Sequence, residues 1–275
     1  MSVSHIEIKS LDELLLMRRA GLVVSEGLEA MCGAAAVGVT TGELDQIGRD
    51  VLARNAATSS FLGYGAEYGA PFPGVACISV NDELVHGIPG DRALVDGDVV
   101  SIDFGAIVAG WHGDAARTII VGTADPVDVA LIEATREAFW AGALATRDGN
   151  RIGDVSKAIE GYVKRLPTRY GTLREYTGHG IGTEMHMSPD VPNWYRPRPT
   201  PRLRVGMAIA IEPMLTTGTH QTLELDDEWT VVSRDGSRGS HWENTVAVTP
   251  GGAWVLTEAD GGATRLGDAF APLAD

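Results

Sequence analysis

Apolar positions along this chain follow two spacings, and the pattern changes from helical to strand-like twice. Leu14, Met17, Leu22 and Val23 fall at helical spacing after Ser10-Leu11-Asp12-Glu13. That S-x-x-E order is a capping box, so a helix is predicted to about Ala36. Thr40-Thr41-Gly42-Glu43 repeats the signal ahead of Leu44, Ile47, Val51 and Leu52. Residues 61–73 are rich in glycine, aromatics and proline and read as a loop. A short strand is expected over 75–80, a turn over 81–83, a strand end and loop over 84–90, and a turn over 94–98.

The stretch 99–121, VVSIDFGAIVAGWHGDAARTIIV, reads as two β-strands joined near Ala109 and Gly110. Folding it about residues 108 and 109 sets Asp103 directly opposite Asp114. Opposed residues share a face, with Cβ atoms roughly 5 Å apart. Two carboxylates so placed call for a cation between them or a shared proton, unless one faces solvent or the register differs by one.

The pattern then repeats. Pro126 opens a third helix to about Arg147. Asp154 opens a fourth, with Val155, Ile159, Tyr162, Val163 and Leu166 on one face. Residues 176–182 read as a strand and turn, and the proline-rich 187–203 as a long exposed loop. Strands are expected over 208–216, 230–233, 242–248 and 253–257, followed by a partly disordered tail over 258–275. Helix, helix, strands occurs twice, so the chain reads as a single domain, 1–275. Its two α+β halves, about 10–123 and 126–257, meet near 123–128 with a site in the cleft between them.

Composition narrows the setting. At 275 residues with 44 % hydrophobic content, the chain can bury a substantial core. A net charge of −15 without a basic run argues against a nucleic-acid partner. No apolar stretch is long enough to span a membrane, and the first residues lack the order of a signal peptide. Two cysteines, Cys32 and Cys77, make neither a disulfide framework nor a zinc knot. A reducing, cytoplasmic setting is expected.

Candidate ligands stand elsewhere too. His179 sits between glycines in Gly178-His179-Gly180-Ile181-Gly182, which suits a crowded centre. Glu212 ends the apolar run Ile209-Ala210-Ile211, and Glu243 leads another, places where an unpaired charge is costly. Two aspartates, two glutamates and a histidine suit hard or borderline divalent ions. Four carboxylates balance two dications, which paired hydrolase sites hold ~3.5–4 Å apart. HExxH, G-x-S-x-G and the phosphate-loop pattern are absent.

Taken together, Ile78-Ser79-Val80-Asn81, His86-Gly87-Ile88-Pro89, Asp98-Val99-Val100-Ser101-Ile102-Asp103, Trp111-His112-Gly113-Asp114, Gly178-His179-Gly180-Ile181-Gly182, Ile211-Glu212-Pro213-Met214 and Glu243-Asn244-Thr245-Val246 resemble type I methionine aminopeptidases. The likeness runs from about Ile8 to Thr257. It implies the α+β pita-bread (creatinase/aminopeptidase) fold, a curved antiparallel sheet with helices on its outer face and a pseudo-twofold axis. It also implies removal of the initiator methionine from nascent polypeptides.

The resemblance implies roles as well. Asp103, Asp114, His179, Glu212 and Glu243 bind two divalent ions (cobalt, manganese, iron or zinc), with Asp114 and Glu243 bridging. His86 lies near the substrate amine and leaving group. His186 bonds the scissile carbonyl, and Glu212 shuttles a proton from the attacking water. Phe72, Cys77, Trp229 and Tyr64 form the methionine pocket. His112 and His241 carry no assignment. Expected partners are nascent N-termini at the ribosome, with no direct nucleic-acid or membrane contact, and the protein is expected to be a monomer. Two alternatives stay open: a proline-directed aminopeptidase or dipeptidase of the same fold, and a non-catalytic binding protein of it.

Overall fold

Both capping boxes form in the computed structural model, which describes residues 6–67 and 69–273. In α1 (Leu11–Ala34) the Ser10 hydroxyl accepts from the Glu13 N–H, and the Glu13 carboxylate accepts from the Ser10 N–H at 2.7 Å. Thr40 and Glu43 repeat this at α2 (Thr41–Arg54). These pairs satisfy N–H groups that no helical carbonyl reaches. Leu14, Met17 and Val23 are buried as expected. Leu22 is not: it is 43 % exposed, because the inward stripe of α1 runs through Gly21, Val24 and Leu28 instead.

In the second half, α3 (Pro126–Ala145) starts with proline at its first turn, capped by Asp125. α4 (Ile152–Val163) begins two residues ahead of Asp154. Asp154 sits in its first turn, where the carboxylate accepts from the Arg151 N–H at 2.8 Å.

The main sheet has nine strands among the described residues. They are β1 (Thr58–Ser59), β2 (Ala76–Val80), β3 (Val99–Val108), β4 (Trp111–Ile120), β5 (Gly178–Gly180), β6 (Met187–Val191), β7 (Ala208–Ile211), β8 (Glu243–Thr249) and β9 (Gly252–Val255). The order is β1-β3-β4-β8-β7-β5-β6, with β2 also on β3 and β9 also on β8; every pairing is antiparallel.

The hairpin register differs from expectation. Ala109 (φ 50°) and Gly110 (φ 83°) form a two-residue turn with both φ positive, which matches the twist of the flanking strands. Val108 therefore pairs with Trp111, Asp103 with Ala116, and Asp114 with Gly105. The aspartates are diagonal neighbours rather than directly opposed. A slip of two preserves the face, so both carboxylates still point the same way.

Other corrections concern strand ends. Residues 187–191 are the edge strand β6 rather than loop, and Pro189 is tolerated there because an edge has N–H positions with no ladder partner to lose. The run 208–216 breaks at Glu212-Pro213 into β7 and Met214–Thr216. The tail is ordered through Leu273: Leu266 is buried and the Ala271 N–H donates to the Ala253 carbonyl. Its last two residues lie outside the described residues.

Among the described residues two small sheets accompany the large one: Gly171–Thr172, Met214–Thr216 and Gly239–His241, and Glu83–Val85, Val231–Ser233 and Thr222–Glu224. One apolar cluster joins α1 and α2 to β2 and β3 through Leu28, Met31, Val51, Ile102 and Phe104. A second joins α3 and α4 to β7, β8 and β9 through Phe139, Ile159, Ile211, Val246 and Val255. Because strand residues alternate faces, Ile102 and Phe104 face helices while Asp103 between them faces the other way.

The two sheet halves join at β4 and β8, through only Glu243↔Ala116 and Asn244↔Ala115. Threonine hydroxyls extend this seam. Thr118 Oγ1 donates to the His241 carbonyl and accepts from the His241 N–H, at 2.8 and 2.9 Å.

Candidate metal centre

Five chain segments deliver carboxylates and imidazoles to one cavity. Asp103 comes from β3 and Asp114 from β4. His179 is the middle residue of β5, pressed between neighbouring strands. A Cβ on Gly178 would lie 2.3 Å from the Ala210 carbonyl oxygen, and one on Gly180 2.2 Å from that of Ser188. Only glycine permits that approach, which explains the Gly-His-Gly order. Glu212 lies where the chain leaves β7 and, past Pro213, enters a small sheet. Trp242, whose N–H donates to the Pro213 carbonyl, marks the matching switch just before Glu243.

His179 Nδ1 is 2.9 Å from the Gly180 carbonyl oxygen. A carbonyl only accepts, so the proton sits on Nδ1 and the Nε2 lone pair faces the cavity. His179 Nε2 lies 3.6 Å from Glu212 Oε1 and 4.0 Å from Glu243 Oε1. Burial holds this imidazole neutral, with its pKa lowered to about 3.

The acids are strained in the absence of a counter-charge. Burial, then Asp114 and Glu212, pushes Asp103 well above the usual carboxylate range. Burial and the surrounding carboxylates do the same to Glu243, and burial and Asp114 to Glu212. Asp114 is pushed up to about 7, burial being the largest cause. Asp103 Oδ1, Asp114 Oδ1, Glu243 Oε1 and His241 Nε2 are buried without a hydrogen-bond partner. Buried polar atoms are normally paired, and all four residues line one cavity. Asp114, His179 and Glu243 form one donor group, and Glu212, His241 and Glu243 another, each with ligand atoms within 4.8 Å. Oxygen and imidazole donors so arranged fit divalent cations.

The same cavity, about 100 Å³, is lined by every sequence-expected residue: Tyr64, Phe72, Cys77, His86, Asp103, Asp114, His179, His186, Glu212, Trp229 and Glu243. Its apolar end packs Phe61, Phe72, Cys77 and Met185 against Ile88 and Trp229. The Phe72 and Trp229 rings meet edge to face at 5.2 Å. Burial and the nearby acids push the Cys77 thiol far up, so it lines the pocket as a neutral, soft group.

His186 Nδ1 lies 2.7 Å from the Tyr64 hydroxyl, and its ring contacts that of His179 at 4.4 Å. His86 has φ 60°, an uncommon backbone for a non-glycine residue. Gly87 holds that turn against β2, its carbonyl accepting from the Ile78 N–H. Burial, then His186, lowers the His86 pKa to about 4, so it too is neutral.

Phe61, Val85, Tyr176, Met185, Met214 and His241 also line the cavity and lacked a sequence signal. Only His241 carried a hint, standing two residues before Glu243. His112 lies outside the lining, its Nδ1 2.9 Å from Ser60 Oγ.

Residues 15–250 match the profile of Metallopeptidase family M24. The chain is 48 % identical over 254 residues to methionine aminopeptidase 1 of Mycobacterium tuberculosis, covering 90 % of this chain and 94 % of that protein. It is 44 % identical over 251 residues to the methionine aminopeptidase of Clostridium acetobutylicum, covering 91 % and 98 %. Among solved structures, methionine aminopeptidase from Thermotoga maritima superposes with a TM-score of 0.88 at 36 % identity, covering 92 % of this chain and all of that one. The prolidase of Pyrococcus furiosus, at 22 % identity, shares the fold with a TM-score of 0.72 over 92 % of this chain and 65 % of its own.

Proposed function

The chain belongs to Metallopeptidase family M24, with the pita-bread fold, and we propose on that premise that it removes the N-terminal methionine from nascent polypeptides. One observation carries the reading: a soft apolar pocket opens directly onto the carboxylate–histidine cluster. Phe61, Phe72, Cys77, Met185 and Trp229 offer a slot for an unbranched thioether in the same cavity as the cluster.

A divalent metal is the family's reagent. We assign two ions to Asp103, Asp114, His179, Glu212 and Glu243, the residues that would hold them. Bound there, they supply the positive charge that acidifies a water and polarises a carbonyl. Cobalt, manganese, iron and zinc all suit this donor set.

The protein's own groups do the rest. His186 donates from Nε2 to the scissile carbonyl oxygen and favours the developing oxyanion. Tyr64 holds the opposite nitrogen of that ring. Glu212 takes the proton of the attacking water and returns it to the leaving amine. His86, neutral and buried, faces the substrate amine and the departing group.

The wider reading is of one catalytic domain in two halves, about 10–123 and 126–257, acting as a monomer on chains emerging at the ribosome in the cytoplasm. Among the described residues no helix is long and apolar enough to cross a membrane. Cleavage of Met-Ala-Ser against Gly-Pro peptides by metal-loaded protein is the test. Faster Met-Ala-Ser turnover supports this reading; faster Gly-Pro turnover favours a proline-directed enzyme, and binding without turnover a non-catalytic protein.

A further inference from the structure

His241 has no role in the arrangement assigned above, yet its side chain is 3 % exposed and its Nε2 has no hydrogen-bond partner. That atom lies 3.6 Å from Glu212 Oε2 and 3.7 Å from Glu243 Oε2. His179 Nε2 stands to the other two oxygens of the same glutamates at 3.6 and 4.0 Å. The glutamate pair is thus flanked by two imidazoles, each facing one oxygen of each carboxylate. Both His241 distances exceed the N–H···O range. They suit atoms that share an ion rather than a proton.

The position is anchored. Thr118 binds the His241 main chain through both N–H and C=O, and Met214 pairs with it across the small sheet.

We propose that His241 Nε2 is a further metal donor, completing the coordination of a divalent ion held between Glu212 and Glu243. This rests on the reading of the cavity as a metal centre. Each donor group then carries one imidazole, and Glu243 is common to both.

The test uses the full chain and its His241→Gln and His241→Ala variants, titrated with Mn²⁺ by calorimetry and loaded with Co²⁺ for visible absorption. Glutamine keeps an N–H that can bond a carboxylate but is a poor metal donor. The expected result is a loss of tenfold or more in one Mn²⁺ step in both variants, with altered Co²⁺ bands. Losing an outer hydrogen-bond partner alone costs roughly 10–100-fold, so the glutamine variant separates the two roles. If His241→Gln keeps the parent's Mn²⁺ affinity within twofold and its Co²⁺ spectrum, the proposal fails and His241 merely orients a glutamate. If the parent itself binds no Mn²⁺, the metal-centre reading falls and this falls with it. Should His241→Ala not fold, the near-isosteric glutamine variant decides alone.

Discussion

Thr245 and Asp114 exchange two hydrogen bonds: the Asp114 N–H donates to Thr245 Oγ1 at 3.0 Å, and the Thr245 hydroxyl donates to the Asp114 carbonyl at 2.9 Å. A side chain here replaces a ladder partner at a seam only two residue pairs long. Asp103 and Asp114 lie on one side of that seam, and His179, Glu212 and Glu243 on the other. Side-chain bonds across it therefore set the spacing of the candidate ligands.

Thr245→Val keeps the shape and removes the hydroxyl. Two buried backbone groups of Asp114 lose their partner, at about 1–3 kcal/mol each. Urea denaturation should show a lower midpoint, and Mn²⁺ binding should weaken. An unchanged midpoint would mean that the short ladder suffices without the threonine.

Arg117 clamps the same seam from the helix-covered face. Its guanidinium donates to the Glu243 and Ala116 carbonyls at 2.7 and 2.8 Å, and to Asn244 Oδ1 and Glu258 Oε1 at 2.7 Å, over the Trp242 ring. Arg117→Met should cost about 2 kcal/mol. That is below the ~3–5 of a fully buried pair, because the Glu258 side chain is 26 % exposed. Arg117→Lys keeps the charge but not the planar fork, so it should recover only part of the loss in thermal melts.

Removing metal should make stability depend on pH. In the metal-free fold Asp103, Glu212 and Glu243 sit well above their ordinary values and Asp114 at about 7. A raised acid is protonated in the fold where the unfolded chain has released its proton. Stability is then fully present below the unfolded value near 4 and is lost as pH rises toward the folded values. The neutral His86 and His179 act with the opposite sign below the unfolded histidine value of about 6.5, so the acids are read above it: chelator-treated protein should melt at lower temperature at pH 8 than at pH 7. Divalent ions should reverse this, adding about 2.7 kcal/mol at a hundredfold excess over Kd. Asp114→Asn should relieve the metal-free strain and abolish turnover at any metal concentration. A metal-free melting temperature that climbs from pH 7 to 8 would contradict the strained-acid account.

Tyr64→Phe keeps the ring against Trp229 and removes the hydroxyl bonded to His186. Turnover of Met-Ala-Ser should fall about tenfold in kcat, less than the roughly 100-fold or more of a general acid–base group itself, because Tyr64 acts through His186 as its outer hydrogen-bond partner, with KM little changed. In a His186→Gln background the same change should have no further effect. Equal losses in both backgrounds would show that the hydroxyl acts elsewhere.

The helix starts were legible because a capping box is closed within four residues, and the capping at Ser10–Glu13 and Thr40–Glu43 forms as read. Asp103 and Asp114 were legible as a pair because strand alternation fixes their faces whatever the register. The Gly-His-Gly run marked His179 because crowding leaves a residue-level trace. The edge strand at residues 187–191 was hidden, since prolines mark a loop until a sheet edge accommodates them.

By itself the amino-acid sequence determined the two kinds of element, the faces of the acidic residues and the ligand types, all of which depend on neighbours a few positions away. Tertiary structure alone decided the diagonal register of the aspartates, the narrow seam that spaces the ligands, and the arrival of His241 beside Glu212 and Glu243. Those depend on turn geometry and on contacts between segments more than a hundred residues apart, such as Thr118 with His241, and no local pattern encodes them.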